Sequence, residues 1–117
     1  MRINLFGGPG SGKSTTAALI FYHMKKAGFS VEHVSEYVKA WAYQKRDVGE
    51  FDQVYLLGKQ LQYEYRFLSK GVMNVVTDSP VFLSYVYAKK HVSELGIHEA
   101  ILRICRAYET KHPSLNI

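Results

Sequence analysis

Along the chain, short apolar runs closed by glycine or aspartate alternate with longer stretches whose apolar residues recur every three or four positions. Arg2 to Phe6 is a mostly apolar run that stops at glycine, the pattern of a strand buried in a parallel sheet. Lys13 to Ala27 contains no Gly or Pro and sets Ala17, Leu19, Ile20, Met24 and Ala27 at helical spacing ahead of Gly28, predicting a first helix with a glycine stop. Phe29 to Val34 predicts a second strand, after which Ser35 is a suitable cap for a helix reaching about Arg46. Val54, Leu57, Leu61, Tyr65 and Leu68 predict a helix from about Phe51 to Lys70, ended by Gly71. Val72, Met73, Val75 and Val76 form another buried-type strand that ends at Thr77 and Asp78. Ser79 and Pro80 restart a helix, and Ser93 caps a further one that runs to about Lys111 before Pro113. Ser114 to Ile117 reads as the opening of another strand.

Strands alternating with helices specify an α/β fold: a parallel sheet covered by helices on both faces, with right-handed crossovers. The chain has 117 residues, 47% of them hydrophobic, enough for one compact core, so residues 1–117 are expected to form a single domain. With 21% charged residues, 9 Gly and 3 Pro, collagen-like, low-complexity and disordered classes are excluded. The net charge of +5 suits an anionic partner without naming it. Cys105 is the only cysteine, which excludes an intrachain disulfide and a multi-thiolate zinc site and points to a reducing, cytoplasmic setting. The longest apolar run, Ala17 to Tyr22, is far short of the roughly 20 residues of a membrane span, so no membrane partner is expected.

Gly7-Gly8-Pro9-Gly10-Ser11-Gly12-Lys13-Ser14-Thr15 satisfies G-x-x-x-x-G-K-[ST], the Walker A spacing, and lies between a predicted strand and a predicted helix. Glycine lets successive N–H groups approach phosphate oxygens, and the amino end of the helix adds its dipole. Lys13 is placed to reach the β- and γ-phosphates, and Ser14 to ligate Mg²⁺. Triphosphate binding through these nine residues is the direct inference. The competing reading, a glycine-rich connector with a solvated Lys13, ignores the context in which the motif sits.

In an open parallel sheet the ligand crevice lies at the carboxyl ends of the strands, where Glu36 and Asp78 are both predicted. Asp78 follows an apolar strand, the position of a carboxylate that holds Mg²⁺; the alternative is a carboxylate that stabilises the next helix through its dipole. Glu36 follows the second strand, where it can accept a proton from an attacking hydroxyl; the alternative is again a first-turn helix residue. On the Phe51–Lys70 stretch, Gln53, Leu56, Gln60, Tyr63 and Phe67 form a second stripe. Its amides and rings, Gln53, Gln60 and Tyr63 above all, suit a planar acceptor such as a nucleobase, although an aromatic stripe is more often core. Tyr37, Trp41 and Tyr43 invite the same reading less strongly. Lys89-Lys90-His91 and Arg103/Arg106 read as solvated helix surface. The five histidines lack metal-ligand spacing, and a nucleic-acid partner is disfavoured because no reading motif accompanies the charge. A homo-oligomer is left open.

The phosphate loop, the Val34-Ser35-Glu36-Tyr37 turn and Val76-Thr77-Asp78-Ser79-Pro80 together resemble the small-molecule kinases of the P-loop class, especially the nicotinamide riboside, deoxynucleoside and thymidylate kinase groups. The resemblance spans nearly the whole chain and implies a P-loop nucleoside-triphosphate hydrolase type of fold. It further implies that Glu36 handles the acceptor hydroxyl, that Asp78 serves magnesium or substrate, and that the Gln53/Gln60 helix lines the acceptor pocket. Many such kinases carry an arginine where Ser79 stands. They also continue into an arginine-bearing lid and an adenine-holding loop past the strand opened by Ser114, so the chain is expected to be incomplete at its C-terminus. The expected function is a kinase that moves the γ-phosphoryl of Mg·ATP to a small nucleoside- or nucleotide-like acceptor, with Lys13, Glu36 and Asp78 as its catalytic residues. The rivals are an ATPase or nucleotide switch without an acceptor, and a nucleotide-binding module that does no chemistry.

Overall fold

The computed structural model describes residues 1–8, 10–37 and 51–117. Pro9, Trp41, Tyr43 and most of the helix predicted to reach Arg46 lie outside the described residues. The elements follow in the order β1 (Arg2–Asn4), α1 (Lys13–Lys26), β2 (Val31–Val34), α2 (Asp52–Leu68), β3 (Asn74–Thr77), α3 (Leu83–His91), α4 (Leu95–Lys111) and β4 (Ser114–Asn116). All four strands are parallel, in the spatial order β2-β3-β1-β4. The α/β architecture read from the alternation is therefore present.

Strand alternation sends neighbouring side chains to opposite faces. Ile3, Leu5, Val31 and Val76 share one face and close on Ala17, Ile20, Phe21 and Met24 of α1. Arg2 points the other way, to Glu64 of α2 and Glu109 of α4. On that second side Leu57, Val81, Ala88, Val92, Ile101 and Cys105 join α2, α3 and α4 in a separate apolar cluster. Helices thus cover both faces, as expected. Among the described residues, no helix is long and apolar enough to cross a membrane.

The glycine stops are where the sequence places them. Gly28 N–H donates to Lys25 O and Phe29 N–H to Met24 O, while Gly71 N–H donates to Leu68 O and Val72 N–H to Phe67 O. Both pairs are the two bonds of a Schellman ending, with the glycines left-handed at φ 90° and 88°. Because Val72 is held in the ending of α2, β3 begins at Asn74 and not at the predicted Val72.

Three predicted details are corrected. On α1, Leu19 is half exposed, because the packed positions 17, 20, 21 and 24 leave it off the buried stripe. On α2 the buried stripe is Gln53, Leu56, Leu57, Gln60 and Glu64, whereas Val54 and Tyr65 are exposed. The more polar stripe goes inside because the sheet and the neighbouring turn supply partners for its amide and carboxylate groups. Finally, α3 and α4 start later than predicted: Pro80, Val81 and Phe82 accept three-residue turn bonds ahead of Leu83, and Glu94 caps α4 by accepting from Gly96 N–H at 3.3 Å.

Candidate functional site

The chain leaves β1 for α1 toward one flank of the sheet and leaves β3 for α3 and α4 toward the other. Such a reversal opens a crevice between the carboxyl ends of the two adjacent strands, here β1 and β3. Hydrogen bonds fix the mouth of this crevice: Leu5 N–H donates to Thr77 O at 2.9 Å and Phe6 N–H to Ile117 O at 3.0 Å. The glycine-rich loop starts one residue later. Its first glycine, Gly7, at φ 154°, is closely approached: a Cβ there would lie 3.3 Å from both Ser11 Cβ and Lys13 Cγ.

Beyond the loop, Gly12 O accepts from Thr16 N–H at 2.9 Å and opens α1. The helix has neither a side-chain cap nor an acidic residue in its first turn. Its first amides and its positive dipole end are left for an anion. Gly8, Gly10, Ser11, Gly12, Lys13, Ser14 and Thr15 line a cavity of about 420 Å³ at this point, with Glu36 and Tyr87 on its far wall. The predicted phosphate-loop residues are thus brought together, apart from Pro9, which lies outside the described residues, and Gly7, which does not line the cavity.

Asp78 comes off the end of β3 and accepts from Ser14 Oγ at 2.5 Å through Oδ2. Its other oxygen, Oδ1, is buried and has no partner among the described residues. A hydroxyl and a carboxylate, one oxygen of which lacks a partner among the described residues, form a hard-oxygen pair beside this cavity. The pair fits Mg²⁺. The turn that follows is held by Ser79 N–H donating to Thr77 Oγ1 at 3.0 Å.

A second, larger cavity of about 530 Å³ lies beside the first. Glu36, Tyr37, Gln53, Leu56 and Gln60 line it on one side, and Ser79, Pro80, Leu83, Ser84, Tyr87 and His91 on the other. Glu36 and Tyr87 line both cavities, so they form the wall between them. Burial pushes the Tyr87 phenol above its ordinary pKa, and the Glu36 charge adds to the shift.

Gln53 and Gln60 are where the sequence suggests, on the wall of the larger cavity, but Tyr63 is not among its lining residues. One helical turn past Gln60, the Tyr63 ring instead meets Tyr37 edge to face at 5.3 Å and lies under the Arg66 guanidinium at 5.0 Å. Gln60 is engaged with the main chain: its Oε1 accepts from Tyr37 N–H at 3.1 Å and its Nε2 donates to Ser35 O at 3.3 Å. His91 lines the larger cavity, whereas the sequence reading leaves it on a solvated surface. Leu83, Tyr87 and His91 were legible as one stripe, four residues apart on a single helix, yet their apolar and aromatic character gave no sign of which side the stripe would face.

Neither the protein-family models nor the curated proteins with which the sequence was compared gave a match.

Proposed function

We propose that the chain is an ATP-binding phosphotransferase of the P-loop type, moving the γ-phosphoryl of Mg·ATP to a small nucleoside- or nucleotide-like acceptor in a cytoplasmic setting. The observation that carries this reading is the pair of adjoining cavities with Glu36 and Tyr87 on their common wall. Phosphoryl transfer needs a donor and an acceptor in line, and hydrolysis needs only the first space. The strand order supports the P-loop type, because it sets the glycine-rich loop and Asp78 at the same reversal point.

In this reading the loop amides and the Lys13 ammonium hold and orient the terminal phosphates of the donor. Ser14 and Asp78 would hold Mg²⁺, which supplies positive charge to the phosphate oxygens. Glu36 accepts the proton of the acceptor hydroxyl as the oxygen attacks. Gln53, Leu56 and Tyr37 shape the acceptor space with amide, apolar and aromatic surface.

Incubation with γ-labelled ATP, magnesium and a panel of nucleosides and nucleotides tests the assignment. Label on an acceptor is the expected result. Label in free phosphate alone identifies an ATPase, and binding without release of label identifies a module without chemistry; either overturns the proposal.

A further inference from the structure

Gln60 stands in the larger cavity, yet its amide is turned to the chain on either side of Glu36. The carbonyl oxygen accepts from Tyr37 N–H at 3.1 Å, and the amide nitrogen donates to Ser35 O at 3.3 Å. The two main-chain groups belong to the residues immediately before and after Glu36. Gln60 itself is anchored: it is 5% exposed and belongs to the buried stripe of α2. A side chain with one donor and one acceptor, set on a rigid helix, thereby spans an irregular turn and bonds both of its flanks.

We propose that Gln60 is a positioning residue, which clamps the Ser35–Tyr37 turn to α2 and so holds the Glu36 carboxylate on the wall between the two cavities. This rests on the proposed phosphoryl transfer for its catalytic half; the clamp itself does not. An amide meets both needs at this position. A carboxylate cannot donate to Ser35 O, an ammonium cannot accept from Tyr37 N–H, and an apolar side chain does neither. A general base gains from being held to within a fraction of an ångström, so loss of the clamp reduces turnover before it reduces binding.

The test is a cycle of Gln60→Met, Glu36→Gln and the double variant, with kcat and acceptor KM measured on the acceptor found in the labelled panel. Gln60→Met is expected to lower kcat about 10- to 100-fold and to change KM less than about threefold, as loss of an interaction expressed in the transition state requires. In the Glu36→Gln background the same change is expected to cost little more, because the group being positioned has lost its function. A rise in KM with kcat retained shows that Gln60 serves the acceptor directly, and losses that multiply show that it does not act through Glu36; either overturns the proposal.

Amide hydrogen exchange supplies a readout free of activity. Protection of the Tyr37 amide is expected to fall roughly five- to tenfold in Gln60→Met, the worth of one net hydrogen bond. Equal protection in both proteins overturns the clamp. If the wild-type chain transfers no phosphoryl group, the functional reading and the catalytic half fall together, while the exchange measurement still decides the clamp. Should the methionine variant unfold, Gln60→Glu enters the same cycle. It keeps the bond from Tyr37 and loses the one to Ser35 O, so kcat is expected to fall by less in the Glu36→Gln background than in the wild type, and an equal fall in both backgrounds overturns the proposal.

Discussion

Glu36 and Lys13 differ in what their surroundings ask of them, and the difference separates their variants. Lys13 lines the smaller cavity and not the larger one, at the start of α1, where the proposed function sets its charge against the donor phosphates. Lys13→Ala should leave the fold unchanged by circular dichroism and weaken Mg·ATP binding about 10- to 100-fold by calorimetry, the usual worth of a charge-assisted hydrogen bond. Unchanged affinity would remove the phosphate-loop assignment. Glu36 lies on the wall of both cavities, touching the space where a hydroxyl would meet a terminal phosphate. Glu36→Gln keeps the shape and removes the base, so kcat should fall about 10²- to 10⁴-fold with Mg·ATP affinity retained. Normal turnover in that variant ends the general-base role. Asp78 is compatible with both readings made of it from the sequence: its contact with Ser14 sets it beside the glycine-rich loop, and it precedes the turn that leads into α3.

At the scale of elements, the endings of helices were far more legible than their faces. Glycine at 28 and 71 could be read as a stop because the left-handed conformation is a local requirement, indifferent to what the helix packs against. The face of α2 was not legible in this way. Hydrophobic spacing favours Val54, Leu57, Leu61, Tyr65 and Leu68, yet Gln53, Gln60 and Glu64 are buried because each answers to a cavity, a turn or a strand distant in sequence. A buried polar stripe of this kind cannot be separated from a solvated one until its partners are known. The loop motif escapes the difficulty because its chemistry depends on adjacent residues. The wall residue Tyr87 does not, since its role follows from the meeting of α3 with the turn after β2. Gly71→Ala gives the local requirement a number. Nothing crowds the new Cβ, but φ of 88° remains unfavourable for it, so unfolding by urea should show a loss of about 1–2 kcal/mol. A loss near zero would mean that the ending of α2 relaxes without cost.

At the scale of the whole molecule, one side chain ties the sheet to two of the helices on one of its faces. Arg2, the first residue of β1, donates through Nε to Glu64 of α2 at 2.9 Å and through Nη1 to Glu109 of α4 at 2.8 Å and to His112 O at 2.9 Å. Its guanidinium also lies 4.2 Å from the centre of the Tyr108 ring. Glu64 is fully buried, and burial raises its pKa above the ordinary 4.5 against the opposing pull of Arg2. A raised carboxylate pKa means that the folded state keeps a proton the unfolded chain has released, so this group's contribution to stability declines as pH rises from about 4.5 through the folded value. Arg2→Met removes the pull and leaves a buried carboxylate whose pKa rises further. At pH 7 the variant should lose about 3–5 kcal/mol, the penalty for breaking a buried pair from one side. At pH 5 the loss should be smaller, because the further-raised pKa of the variant lets a proton on Glu64 stand in for the cation more as pH falls. Glu109 titrates below both conditions: burial acts to raise its pKa, but the bonds from Ser114 and Arg2 hold it low, so its lost contact contributes alike at either pH. His112, held low by burial, then Lys111, then Arg2, relaxes in the variant and shifts the balance the same way, toward a smaller loss in acid. Urea denaturation of both proteins at pH 5 and pH 7 therefore reads the responses of Glu64 and His112 together, and equal losses at the two values would show that neither group's titration depends on Arg2.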